Sequence, residues 1–364
     1  MNIKQIVKNI LPYWMVIKMQ NFRRHNNIDF RKIIALSTSE NLIVEPPSFE
    51  YIVSVQGFGY SGSGAVLDLL REYEDTHVLG YIDPEACKSK TAKGVSEIEI
   101  IRMPGGLYDL ENNIEVDNVF INDALLNRTV KLFESSALYK MDDYMKNLFA
   151  VFFRKITTLR MTSLSQTYYN VHLSNPYEVL DIYFKRTLSR DIFIETSKQF
   201  LISIFNHVND NSKYMVVDQL FSDTDLNIER NKKYIPNLKM IVVVRDPRDI
   251  YAWAILKDIE WIAHNTVDDF IQWYECQYKN SLALRSTTNC LVVDYENLVL
   301  QYNYMVEKIE SFIGYNRCMH KRINECFDPS FSIKFVGIYK TIGFEKQISI
   351  IRNKLKKYCN PLID

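Results

Sequence analysis

The stretch YIVSVQGFGYSGSGAVLDLLREY, residues 51–73, limits the possible folds more than any other part of the chain. Tyr51 to Val55 is a short apolar, β-branched run, the pattern of a strand buried in a parallel sheet. Ala65 to Leu70 is apolar at helical spacing. Between them stand Gly57, Gly59, Gly62 and Gly64. The pattern predicts strand, glycine loop and helix. A helix start offers main-chain N–H groups with no intrahelical acceptor, at the positive end of the helix dipole. Glycines let the backbone close round an anion without Cβ clashes. The loop reads either as a phosphate cradle or as a tight connection.

Gly57 and Gly62 have the G-x-x-x-x-G spacing that opens a nucleotide-binding P-loop. Ser63 and Gly64 stand where the lysine and hydroxyl residue should follow, so an ATP- or GTP-hydrolysing loop lacks its cation.

Further short apolar runs predict strands at Thr76–Tyr81, Lys213–Asp218, Lys239–Val244 and Cys290–Val293. Helical patterns start at Ile250 and cover Trp261–Ser281 and Leu298–Ile313. This alternation predicts an α/β fold with a central parallel sheet. Residues 86–210 are rich in Tyr, Phe and Asn and read as a mainly helical insertion. The domain is expected over 49–355, with a basic helical segment at 1–48 and a tail at 356–364. The strand at Lys239–Val244 runs straight into RDPRD, residues 245–249, and places Arg245 at the carboxyl edge of the sheet, where such folds bind ligands. Arg245 suits bidentate phosphate binding. The competing reading is a surface turn closed by an internal Arg–Asp ion pair.

Lys and Arg number 44 and Asp and Glu 44, so the net charge of zero argues against a surface built for nucleic acid. The six cysteines form no CxxC pair and no zinc-ligand spacing; no metal is expected, and a reducing, cytoplasmic setting is. Residues 1–24 are basic and partly apolar, with Pro12 in the middle of the run. They read either as an amphipathic helix packed on the domain or as a peripheral contact with an anionic inner membrane face.

Together, SVQGFGYSGSGAVLDLL and YIPNLKMIVVVRDPRDIYAW (234–253) resemble the PAPS-dependent sulfotransferase family, where PAPS is 3′-phosphoadenosine-5′-phosphosulfate. VVDYENLV (292–299), the later FIGY (312–315) and SIKFVGIYK (332–340) resemble further segments of that family, in the same order. The resemblance implies a three-layer, P-loop-like α/β fold. It also implies transfer of a sulfuryl group from PAPS to an acceptor hydroxyl, with no metal required. It would place the 5′-phosphosulfate against Gly59, Tyr60, Ser61, Gly62, Ser63, Gly64 and Ala65, and the 3′-phosphate against Arg245. Lys334 and Lys340 would approach the nucleotide from the C-terminal segment. Two positions depart from the family: Tyr60 replaces a loop Arg or Lys, and Trp253 replaces a serine that helps hold the 3′-phosphate. Tyr60 therefore keeps open a second reading, a nucleotide-binding protein of the same fold without catalysis; a P-loop kinase-like phosphotransferase is the third.

The resemblance puts the catalytic base just beyond the second strand, in HVLGYIDPEACK (77–88). Glu85 comes first, then Asp83, then His77. Asp218 ends another predicted strand at the same edge and could orient a lysine, bind the acceptor, or merely cap a helix. Aromatic residues of the insertion, Tyr139, Tyr144, Tyr168, Tyr169 and Tyr177 among them, suit either core packing or sugar stacking. The acceptor is expected to be a carbohydrate, either a polysaccharide or a lipid-linked glycan.

Overall fold

In the computed structural model, the described residues are 45–79, 107, 111, 143–163, 180–185, 189–220, 231–235, 237–263, 266–283 and 289–364. The first strand, β1 (Tyr51–Gly57), is buried along almost its whole length and leads through the glycine loop into α1 (Ser63–Leu70). After β2 (Thr76–Leu79) come α2 (Asp143–Ile156), β3 (Thr157–Ser163), β4 (Leu180–Lys185) and α3 (Arg190–Val208). β5 (Tyr214–Asp218) and β6 (Leu238–Val244) follow, then α4 (Pro247–Leu256), α5 (Glu260–Ala263) and α6 (Val267–Ala283). The chain continues through β7 (Cys290–Asp294), α7 (Tyr295–Leu300) and α8 (Tyr302–Ile313) to α9 (Glu345–Lys354).

The main sheet has the order β2-β5-β1-β6-β7, and every pairing in it is parallel. Alternate residues of a strand point to opposite faces, and the packing follows that alternation. Ile52, Met215, Val217, Met240, Val242 and Val244 face one layer, built from α2, α3, α4, α6 and α9. Val53, Val55, Val216, Ile241 and Val243 face the other, built from α1, α7 and α8. The result is helix, sheet, helix. Such sheets carry near-continuous apolar strands because both faces are covered, and β6, LKMIVVV, is an example.

Some expectations need correction. The stretch expected to be one helix over 298–313 is two, because Gln301 leaves helical geometry between α7 and α8. The one expected over 261–281 is also divided, into α5 and α6. The described part of the insertion is mostly helical, in α2 and α3, and also holds an antiparallel pair, β3 with β4. The tail at 356–364 is packed on the domain: the Asn360 amide donates to Asp246 Oδ2 at 2.7 Å, and Ile363 is buried. No described helix is long and apolar enough to cross a membrane.

Candidate functional site

β1 lies at the centre of the sheet, so the glycine loop rises between the carboxyl ends of β5 and β6, a position where open α/β sheets bind ligands. Gly57 and Gly62 are required by close approach. A Cβ on Gly57 would stand 2.5 Å from Ser61 Oγ. Gly62 has φ +96°, and a Cβ there would stand 2.5 Å from the Tyr295 ring. Within the loop, the Ser61 amide donates to the Phe58 carbonyl at 3.0 Å, and the Ser61 hydroxyl accepts from the Phe58 amide at 3.2 Å. Gly62 caps α1 without a side chain, so the first amides of the helix are left for another acceptor. Gly64 has open space on its Cβ side.

Arg245 leaves the end of β6 and is almost wholly buried. Its Nη1 donates to the Tyr60 carbonyl at 3.3 Å and its Nη2 to the Phe335 carbonyl at 2.6 Å. The guanidinium lies 4.8 Å from the Tyr295 ring centroid. Its Nε is a buried donor with no partner among the described residues. Buried polar groups are nearly always satisfied, so the vacant Nε marks a place for an acceptor atom. The Tyr274 hydroxyl donates to the Arg245 carbonyl at 2.7 Å and fixes the main chain behind it.

The rest of RDPRD is a buried hub, which corrects the reading of a surface turn. Asp246 caps α4 by accepting from the Arg248 amide at 2.8 Å, with Pro247 in the first turn. Arg248 is fully buried. Its Nε and Nη2 donate to the two Asp246 oxygens at 2.9 and 2.7 Å, and its Nη1 donates to the Asp364 carboxylate. Asp249 accepts from the amides of Gly337 and Tyr339 at 2.7 and 3.2 Å and so fastens the C-terminal segment that supplies the Phe335 carbonyl. Burial pushes the Asp249 carboxyl up to about 6. Glu296 accepts from the Asp246 amide at 2.9 Å, and burial pushes its carboxyl up to about 8.

A carboxyl whose pKa is raised in the fold binds its proton more tightly folded than unfolded. Stability is therefore lost as pH rises from the ordinary 4.5 of Glu296 towards about 8. Glu296→Gln keeps an acceptor for the Asp246 amide and removes the titration. Unfolding by denaturant at several pH values across that window should show wild type losing stability with rising pH and the variant losing less. Parallel curves would mean that Glu296 does not titrate there.

Loop and guanidinium line a single cavity of about 1010 Å³. Tyr60, Gly62, Ser63, Gly64 and Ala65 line it together with Arg245, Trp253 and Tyr295, with Phe335, whose carbonyl Arg245 reaches, and with residues 324–328 as a further wall. Asp218 ends β5 and opens onto the same space, buried and level with Val55 of β1. Among the lining residues, Arg71 and Arg245 are the cations, and Asp68, Asp218, Glu325 and Asp328 the acids. Asp68 is paired with Arg71 at 2.5 Å. The wall at 324–328 hangs from buried Glu72, which accepts from the Cys326 and Phe327 amides at 2.9 and 2.8 Å and meets His320 Nε2 at 2.7 Å.

Not every expected site residue is part of this assembly. His77 lies on β2 in register with Met215, which pairs with Ile52, so it sits at the amino end of the sheet. That is five residues, or ~16 Å of strand, before Gly57. Its Nδ1 accepts from the Asp210 amide at 3.1 Å, and it does not line the cavity. Lys334 is exposed with its Nζ 3.2 Å from the Phe331 ring centroid, and Lys340 reaches a main-chain oxygen of Asp364 at 3.4 Å; neither lines the cavity. Gly59 is at the back of the loop, where an added Cβ would meet Ile262 at 2.7 Å. Glu85 and Asp83 lie outside the described residues, as do Tyr139, Tyr168, Tyr169, Tyr177 and residues 1–24. Tyr144 stacks on His207 at 4.2 Å. Sequence reasoning missed Glu72 and the 324–328 wall, which carry no local motif, and gave Tyr295 no site role although it stands in VVDYENLV.

The solved structures similar to this chain include bacterial sulfotransferases. Sulfotransferase STF1 from Mycobacterium tuberculosis H37Rv shares 11% identity at a TM-score of 0.39, covering 85% of this chain and 77% of that one. The sulfotransferase domain from the Synechococcus PCC 7002 olefin synthase shares 12% at a TM-score of 0.37, covering 89% and 99%. Sulfotransferase STF9 from Mycobacterium avium shares 10% at 0.37, covering 86% and 78%. No protein-family model matches the chain, and no curated protein matches it. The weight of any functional reading therefore rests on the geometry of this chain. Among the described residues, no group of three or more His, Cys, Asp or Glu side chains could hold a metal ion.

Proposed function

We propose that the chain is a sulfotransferase that uses PAPS as sulfuryl donor and an acceptor hydroxyl as substrate. The observation that carries this reading is that Ser63 and Arg245, the two anion-seeking points of the sequence, line one cavity of a size that accommodates a nucleotide. The fit is specific at two places. The α1 amides at Ser63 and Gly64 are left for an acceptor by a cap that has no side chain, and the Cβ side of Gly64 is open. The unpartnered Arg245 Nε supplies a charged donor to a phosphate oxygen. PAPS, when bound, supplies a sulfuryl group activated by attachment to phosphate, and no metal has to take part.

In this reading the loop amides hold the phosphosulfate end and Arg245 the 3′-phosphate. Tyr295 stands against Gly62 of the loop, and Phe335 lies beside Arg245 and Trp253 at the 3′-phosphate end. Asp218, at the carboxyl edge beside β1, accepts the proton of the acceptor hydroxyl. Trp253 lies edge-on to Phe335 at 5.2 Å and occupies the place of a hydroxyl donor, so Arg245 carries the 3′-phosphate alone on that side. Cysteines without metal spacing support a cytoplasmic setting as part of the same proposal.

The second reading, nucleotide binding without turnover, is favoured by Tyr60, because no loop cation is present to stabilise developing charge. One experiment separates the two. The protein is supplied with ³⁵S-labelled PAPS and a panel of hydroxyl acceptors, and 3′-phosphoadenosine-5′-phosphate (PAP) is titrated in parallel by calorimetry. Sulfotransfer that falls by roughly 10²–10⁴-fold in Asp218→Asn, with PAP binding retained, supports the enzyme. PAP binding with no transfer supports the second reading. Preference for magnesium ATP over PAP discards both.

A further inference from the structure

Tyr60 is unusual in three respects. It adopts φ +61°, in the left-handed region that few non-glycine residues visit. Its carbonyl accepts from Arg245, so the main chain is pinned in that conformation. Its ring is nevertheless turned outward and is 47% exposed. Residues held in sparsely populated backbone conformations gather at functional sites, where the surroundings determine them. The ring has a neighbour. Trp261 of α5 is 59% exposed, with its centroid 6.4 Å from that of Tyr60 and the planes 33° apart. Behind both, Trp273 meets Trp261 edge-on at 6.2 Å, and the Trp261 and Trp273 rings would each stand 3.0 Å from a Cβ on Gly59. The absence of a side chain at Gly59 lets the indoles seat directly under the glycine loop.

We infer that Tyr60 and Trp261 form a stacking platform for the acceptor, and that the acceptor is an uncharged pyranose unit of a longer glycan. The inference rests on the sulfotransferase reading for the word acceptor, and on the two rings for the rest. Exposure of both faces suits an occupant that keeps much of its own hydration. A sugar ring does so: it lays its C–H face on the aromatic surface and leaves its hydroxyls in water. A small phenol gains most when enclosed on all sides, as drug-sized ligands are. Charge selects further. Asp218, Glu325 and Asp328 line the cavity next to Tyr60, with Asp68 already paired to Arg71. A uronate or other anionic glycan entering this cavity would meet three carboxylates, buried Asp218 and exposed Glu325 and Asp328, and like charges repel. The platform makes Tyr60, in place of a loop cation, a residue that determines specificity.

The test uses the full chain saturated with PAP and follows tryptophan fluorescence and calorimetry. The probes are maltohexaose and cellohexaose as neutral glycans, oligogalacturonate as the anionic one, and p-nitrophenol. At least one neutral glycan is expected to bind, more tightly than oligogalacturonate and p-nitrophenol. Trp261→Ala should weaken that binding at least about tenfold, and Trp261→Phe should restore most of it. PAP affinity of Trp261→Ala should stay within about twofold of wild type, since the exposed indole touches neither the α1 amides nor Arg245; this also reports that the variant is folded. Failure of both neutral glycans to bind, tighter binding of the anionic glycan or the phenol, or no effect of Trp261→Ala would overturn the platform. Failure of PAP to bind wild type would instead overturn the nucleotide reading and leave the sugar titration to judge the two rings on their own.

Discussion

Arg248→Met is expected to destabilise the protein by about 3–5 kcal/mol, measured by denaturant unfolding at neutral pH. Nearly the whole guanidinium is inside, paired through two nitrogens with the carboxylate of Asp246. Removing it leaves Asp246 buried next to Glu296 with no cation against it. An uncompensated buried charge of this kind dominates over the methylenes that Met would retain. The burden also falls on the first turn of α4 and on Asn360, because the Arg248 and Asn360 amides both donate to the same Asp246 carboxylate. Asp364→Asn, which disturbs the outer end of the same guanidinium, should cost only about 0–1 kcal/mol, since Asp364 is 40% exposed. Equal effects of the two substitutions would show that Arg248 is not held mainly by Asp246.

Arg245→Ala should weaken PAP binding roughly 10–150-fold in a calorimetric titration, the range of one charge-assisted hydrogen bond. Arg245→Lys should recover little, because an ammonium cannot serve the Tyr60 carbonyl, the Phe335 carbonyl and a ligand in the planar arrangement of a guanidinium. Part of the loss in either variant is positional, as the guanidinium also joins the glycine loop to the segment at 335. Thermal unfolding without ligand separates the two contributions: a lower melting temperature reports the carbonyl contacts, and the remaining change in affinity reports the vacant Nε. Unaltered PAP affinity in Arg245→Ala would remove the anion site from this strand end.

The parts of the molecule visible in the sequence are those whose cause is local. β1, the glycine loop and α1 announce themselves because β-branched runs, glycines and helical spacing succeed one another within a few residues. β6 is visible for the same reason, and its last residue delivers Arg245 to the edge by simple alternation. Other features depend on distant partners. Arg248 looks like a solvated first-turn arginine until Asp364 and Asn360 reach it from more than a hundred positions away. Glu72 looks like a helix-end surface charge, but the 326–327 amides bury it. His77 comes from the resemblance, which places the base just beyond the second strand, yet its strand begins where the others do and it stands near the start. Gln301 carries no proline or glycine signal, so the division between α7 and α8 could not be read from the chain.

The position of β1 between β5 and β6 also has a bearing on how the molecule comes into being. Both neighbours of β1 come from the second half of the sequence, Tyr214–Asp218 and Leu238–Val244. Closing such long chain loops delays the pairing, and sheets dominated by distant contacts form slowly. During synthesis the first strand and its loop must wait about 160 residues for β5 and about 190 for β6. The anion cradle is among the last parts of the molecule to be assembled, although it is encoded near the front.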